Sequence, residues 1–205
     1  MDSFYTVAES YEWEQIIEKS RFIGLVCPAG NMADVDQALK KTREDFPNAR
    51  HYVYAYRLLE GKREKSSDDG EPQGTGGRPV MDVLQGKELW NVLVVVVRYF
   101  GGILLGTGGL TRAYGGTARF LLNEAPVQKL TAKAAFTLHI PYPLFEPLKY
   151  QLELHHWGTG QTTFSEAVHL KVYIPQREKE AFLQWLQETY HGQIDWQLGD
   201  ALWQV

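Results

Sequence analysis

Two stretches hold side chains whose types and spacing could do chemistry. In "SSDDGEPQGTGGRP", residues 66–79, three carboxylates (Asp68, Asp69 and Glu71) stand within four residues, followed by glycines through Gly77. Such a cluster suits a divalent cation, a general acid/base pair, or a clamp for a basic partner. It also suits an ordinary solvated turn, since Asp-Gly and Glu-Pro are turn dipeptides. In "VRYFGGILLGTGGLTRAYGG", residues 97–116, seven glycines run from Gly101 to Gly116 beside Arg98 and Arg112. Bare backbone between a buried strand and a helix is the design of an anion site: unpaired N–H groups, the positive end of the helix, and guanidinium groups as bidentate donors. Thr107 or Thr111 would cap that helix or donate a hydroxyl. Tight turns and close helix–sheet packing are the competing use of these glycines.

The anion or RNA site is therefore expected at Arg98, Tyr99, Gly101, Gly102, Gly106, Thr107, Gly108, Gly109, Thr111, Arg112 and Tyr114. Its facing loop would supply Asp68, Asp69, Gly70, Glu71, Gly74, Thr75, Gly77 and Arg78. The two glycine-rich loops flank one buried strand, which predicts that they meet on one rim. No standard nucleotide motif fits. After Gly101 and Gly106 come Thr107 and Gly108 where a P-loop needs Lys and Ser/Thr, and G-x-G-x-x-G fails at Thr111. The six histidines form no zinc spacing, and no G-x-S-x-G is present. His51, beside Arg50, is a secondary candidate for the same rim. His169, Lys171 and Tyr173 share the open face of a later strand, where they could contact RNA bases or simply face water. Neither a cofactor nor a resident metal is expected.

The rest of the chain bounds what these residues can serve. At 205 residues, 44% hydrophobic and 13% aromatic, it builds a real core. Net charge is −4. Residues 1–130 hold 16 Lys+Arg against 17 Asp+Glu, and the remainder 5 against 8. That excludes an avid nonspecific nucleic-acid binder and makes any anion site local. The single cysteine, Cys27, reads as a core thiol in a chain suited to a reducing cytoplasm. The first residues lack the apolar run of a secretory signal, and Val92–Val97 is far too short for a membrane span.

Strands are expected at 3–8 and 21–27, a helix capped by Asn31 and stopped by Pro47, and a strand in "HYVYAYRLL". Residues 60–77 read as one long loop. A short helix begins near Pro79, a doubly buried strand fills "LWNVLVVVVRY", and a helix runs from Leu110 to near Pro126. From about residue 131 the order is strand, helix, two strands, helix, strand, the βαββαβ order of ferredoxin-like domains. The fold class is thus α+β, with domains at 1–130 and 131–205.

Together with "EKSRFIG", these two motifs resemble the YigZ/IMPACT family, and the resemblance spans the whole chain. It implies an N-terminal domain similar to the second domain of ribosomal protein S-five, a fold shared with small-molecule kinases. It implies a C-terminal domain similar to the last domain of the translocase EF-G. Eukaryotic members regulate translation by competing for a protein activator of a kinase of an initiation factor, through an added domain without counterpart in these residues. The expected function is a translation-linked binding protein whose loop rim engages a ribosome, RNA, another phosphate-bearing ligand or a translation-related protein, with no membrane role. The alternative is an enzyme acting on a phosphorylated small molecule, with Asp68, Asp69 or Glu71 as metal or acid/base groups. The missing catalytic motifs lean away from an enzyme.

Overall fold

The structure, a computed structural model, describes residues 2–204. The chain divides into two compact units, Phe4–Lys129 and Leu130 onward, the latter joined by the first residues. Both are α+β, each built on an antiparallel sheet.

Strand β1 (Ser3–Val7) comes first in the chain, with Phe4 and Val7 buried, and is no part of the first unit's sheet. That sheet has the order β2 (Tyr11–Ile17), β3 (Ser20–Pro28), β6 (Val92–Tyr99), β4 (His51–Leu58), β5 (Arg63–Ser67). Helix α1 (Met32–Asp45) covers one face through Met32, Val35 and Leu39. Helices α2 (Gly77–Gly86) and α3 (Gly106–Glu124) cover the other. That is why β6, the central strand, is buried from Val92 to Arg98: its even- and odd-numbered residues enter cores on opposite faces. Asn31 caps α1 in a full capping box with Asp34. The half-buried Cys27 packs among the α1-side core, and burial, helped by Asp34, pushes its thiol up to about 11, so it stays a thiol.

Three expectations are corrected. Residues 60–77 are not one loop: a short turn at Glu60–Lys62 leads into β5, a polar edge strand that alternation cannot flag because one side has no neighbour. Strand β2, another edge, was not expected at all. Helix α3 starts at Gly106, four residues before Leu110, so three of the glycines taken for loop lie in its first turn.

The second unit runs β7 (Val127–Ile140), α4 (Tyr142–Leu154), β8 (Gly158–Phe164), β9 (Val168–Pro175), α5 (Lys179–Tyr190), β10 (Asp195–Leu198) and β11 (Leu202–Gln204). Strand β9 lies between β7 and β8, and β10 and β11 both pair with β7. Val168, Leu170, Val172 and Ile174 are buried with Phe136, Leu148, Leu152, Phe182 and Leu186. Strand β11 was missed by the sequence reading. No helix among the described residues is long and apolar enough to cross a membrane.

Candidate functional site: a cavity between the two glycine-rich loops

Asp68, the first of the three clustered acids, leaves β5 and turns back on its own loop. Its carboxylate accepts from the backbone N–H groups of Gly74 (2.8 Å), Gly76 (2.9 Å) and Gly77 (2.8 Å). Burial pushes the carboxyl pKa up, but those three donors outweigh it and hold the group below its ordinary value. The amides of the first glycine loop were expected to receive an external anion; they hold the protein's own carboxylate instead. Gly77 is required for this closeness, since a Cβ there would lie 2.7 Å from the Ser67 backbone. Thr75 closes the same turn through Pro72 O at 2.6 Å, and Gly70 and Gly74 carry positive φ.

Asp69 is also committed. One oxygen accepts from Tyr52 N–H at 2.7 Å and the other from Arg43 at 3.0 Å. Arg78 is paired with Asp82 on α2's exposed face. The three carboxylates therefore do not converge, and no metal-holding group of three or more His, Cys, Asp or Glu occurs among the described residues.

Glu71 differs. It is 9% exposed, and its Oε1 accepts from Arg98 Nη1 at 2.7 Å and from the Tyr114 hydroxyl at 2.6 Å. Burial first, then the bond to Glu71 and its charge, push the Tyr114 phenol well above its usual range, so it stays a donor. Arg98, 5% exposed, also donates to Ser20 Oγ at 3.3 Å, and its guanidinium lies 5.4 Å from the Phe22 ring centre. Arg98 was expected to present a free fork to an anion. Its Nη1 and Nη2 are instead committed inside the fold, with Nε buried and unpartnered among the described residues, because a guanidinium on a strand covered on both faces needs a partner. Ser20 further accepts from Gly101 N–H at 3.2 Å, which ties the second loop to the same network. Gly101 is obligatory: a Cβ would fall 2.0 Å from the Lys19 carbonyl carbon.

Around Glu71 and Arg98 opens a cavity of about 430 Å³. Its walls come from both loops: Glu71 and Pro72 from the first, Phe100, Leu104 and Leu105 from the second, and Gly106, Thr107 and Leu110 from α3, with Arg50 and His51 beside them. His51 Nδ1 lies 2.8 Å from Asp69 O, which as an acceptor puts the proton on Nδ1; Nε2 lies 3.7 Å from Glu71 Oε1. Glu71 Oε2 accepts no hydrogen bond among the described residues. Helix α3 begins with no side-chain cap and no acid in its first turn. Thr107 does not cap it: its carbonyl accepts from Thr111, whose hydroxyl is thereby turned back along the helix. Tyr99 leaves the rim, its hydroxyl bonding Pro47 O at 3.1 Å. Arg112 lines neighbouring cavities but not this one. Gly102 takes positive φ in the second loop, and Gly108 and Gly109 belong to α3's first turns.

Residues 18–122 match the Impact N-terminal domain, and residues 138–193 match a domain of unknown function, DUF1949. The chain belongs to the IMPACT family. It is similar to the IMPACT family member YvyE of Bacillus subtilis, 33% identical over 98% of this chain and 93% of that protein. The IMPACT family member YigZ of Escherichia coli is 31% identical over 95% and 97%. A crystal structure described only as that of a hypothetical protein superposes with a TM-score of 0.66 at 30% identity, covering 96% of this chain and 97% of the other.

His169, Lys171 and Tyr173 belong to the second unit. His169 stands edge-on to His139 with ring centres 4.6 Å apart and lies 3.0 Å from Ser165 Oγ, while Tyr173 packs over Gly160. Ser20, Phe100 and Leu104 were not anticipated, and Pro72 and Leu105 were matched to the family's motifs without being placed in the site. Ser20 had a signal, since it sits inside "EKSRFIG". In the apolar wall Leu105 had one as part of the second motif, while Phe100 and Leu104 had none, since an apolar residue beside glycines does not by itself mark a site.

Proposed function

We propose that this chain is a translation-linked binding protein of the cytoplasm whose cavity takes one nucleotide unit of an RNA, rather than a length of backbone. The observation that carries the reading is Glu71: a buried carboxylate, neutralised by Arg98 and lining an open cavity, with one oxygen unused. A ribose hydroxyl donates to such an oxygen. A phosphate suits the uncapped start of α3, with Arg50 and His51 near. A base packs against Phe100 and Leu104. The volume falls in the range of small-ligand pockets, ~300–1,000 Å³. The two units, read as an S-five-type domain and a ferredoxin-like domain of the EF-G type, support a ribosomal setting by fold analogy alone.

Calorimetry with uridine and adenosine monophosphates tests this. Saturable one-to-one binding is expected, weakened at least tenfold by Leu104→Asp. That side chain is 87% exposed, so the change leaves the fold intact while replacing the apolar surface for the base by a negative charge that also repels the nucleotide's phosphate. No binding to the native protein, or undiminished binding by the variant, defeats the reading.

One observation favours a second reading, an enzyme. The Asp69 carbonyl orients His51 with Nε2 toward Glu71 and the cavity, as a general base is held. Turnover of a phosphorylated metabolite, lost in His51→Gln with ligand affinity retained, would replace the binding role by catalysis.

A further inference from the structure

A larger cavity, about 810 Å³, lies between α2 and α3 in the first unit. Three cations line it: Lys87 at the end of α2, and Arg112 and Arg119 seven residues apart on one face of α3. Among the described residues none of the three has an ion-pair partner. The groove's one carboxylate, Asp82, is taken by Arg78 at 2.7 Å. In a protein of net charge −4, an uncompensated basic groove is a local departure from the whole.

Arg112 carries a second signal. Its Nη1 lies 3.5 Å from where a Cβ on Gly108 would stand, so the guanidinium folds back over the first turn of its own helix. A cation at the positive end of a helix is repelled, and the first turn offers no acid to balance it. A bound phosphate would satisfy both the arginine and the amides. Arg112 also lines a cavity of about 400 Å³ that shares Leu104 and Leu105 with the nucleotide cavity. The three cavities thus adjoin around the start of α3.

We propose that the α2–α3 groove is a track for the phosphodiester backbone of a single-stranded nucleic acid leaving the nucleotide cavity. The strand passes Arg112 and continues to Arg119 and Lys87. Gly115 and Gly116, which also line the groove, leave room for backbone to approach, and no aromatic ring lines it, so it reads phosphate and not base. This rests on the proposed nucleotide site for its starting point, but its cations act independently of that site.

The test is binding of a fluorescent twelve-residue oligouridylate to the full chain across a KCl series. A triple variant, Lys87→Gln with Arg112→Gln and Arg119→Gln, is compared after its melting confirms folding. Three lost phosphate contacts should flatten the log–log salt slope by about 2 and weaken binding on the order of tenfold or more at 0.1 M salt. Uridine monophosphate should bind the variant as it binds the native protein. An oligothymidylate, run alongside to assign the source, should lose the same slope, because phosphate is common to RNA and DNA. An unchanged slope for both oligonucleotides overturns the track, even where the mononucleotide binds. If the mononucleotide fails while the oligonucleotide binds and the slope flattens, the nucleotide cavity falls and the track stands. Heparin bound as tightly as the oligonucleotides, with the same loss, would replace the phosphodiester track by a generic polyanion patch.

Discussion

The two units bury different things. Every buried polar or charged residue among the described residues, from Thr6 and Ser20 through Arg57, Glu71, Thr75 and Arg98 to Thr117, belongs to the first unit. The second buries aliphatic and aromatic residues, knitted by ring contacts such as Phe136–Phe182, Trp157–Phe182 and Trp157–Trp185, with the His139 Nε2 atom also buried. A buried ion pair is a poor way to gain stability, because desolvating both charges offsets much of their attraction. Apolar residues of equal volume would hold Glu71 and Arg98's places at least as well. Their presence beside an open cavity, in the unit that also holds both glycine loops, is in keeping with the binding role proposed for that unit.

The largest effect that probes this contrast is Arg98→Met. It leaves Glu71 buried without its cation and should cost about 3–5 kcal/mol in denaturant unfolding. Phe182→Ala in the second unit should cost a similar ~3–5 kcal/mol by leaving a cavity. Only the first loss is reversible by a partner change. Arg98→Met with Glu71→Met should recover most of it, short of the ~1–3 kcal/mol owed to a Tyr114 hydroxyl without an acceptor. Lys171→Met, on the open sheet face, should stay within about 0.5 kcal/mol of the native chain. A double variant no better than Arg98→Met alone would mean the pair is not the source of the cost.

A smaller effect separates the units by pH. Asp68 has a folded pKa below its ordinary value, so its contribution is fully present above the unfolded carboxyl pKa and is lost as pH falls through the folded one. Acid titration of stability should therefore weaken the first unit below about pH 4, the ordinary carboxylate range. Asp68→Asn should remove that limb while costing about 1–3 kcal/mol at neutral pH, since an amide oxygen accepts the three glycine N–H groups less strongly. An acid limb unchanged in the variant would assign the pH dependence to other carboxylates.

Much of this was legible in the sequence, unevenly. The second unit's alternation at Val168, Leu170, Val172 and Ile174 has a single meaning, because one sheet face is covered and the other is wet. In the first unit, the unbroken apolar run located β6 as a doubly buried strand but could not tell which element covers each face. Strands β2 and β5 were missed because edge strands obey weaker constraints. The two glycine-rich loops meet at one cavity, as expected, but their charged groups pair within the fold. Asp68, Asp69 and Glu71 look alike in sequence. Only the fold decides that one carboxylate meets three amides, one meets Tyr52 and Arg43, and one meets Arg98 across 27 residues of chain. Sequence shows which charges exist, and pairing over such separations is set by packing.

The smallest effect bears on why α3 keeps glycines in its interior. Gly115 was expected to serve close helix–sheet packing, yet its nearest neighbour is Pro79 Cβ on α2, 3.4 Å from where a Cβ would stand. Gly116 has more room: a methyl there would meet only Gln15 Nε2, at 3.9 Å. Packing does not explain Gly116, and helix propensity argues against it by about 1 kcal/mol. Gly116→Ala should therefore stabilise the protein by roughly 0.5–1 kcal/mol. Gly116 also lines the α2–α3 groove, so the same methyl would narrow the proposed track. Oligonucleotide affinity should fall a few-fold while the salt slope stays native, because no cation is lost. A variant that gains stability and keeps full affinity would leave Gly116 without a role in the groove and would move the track away from it.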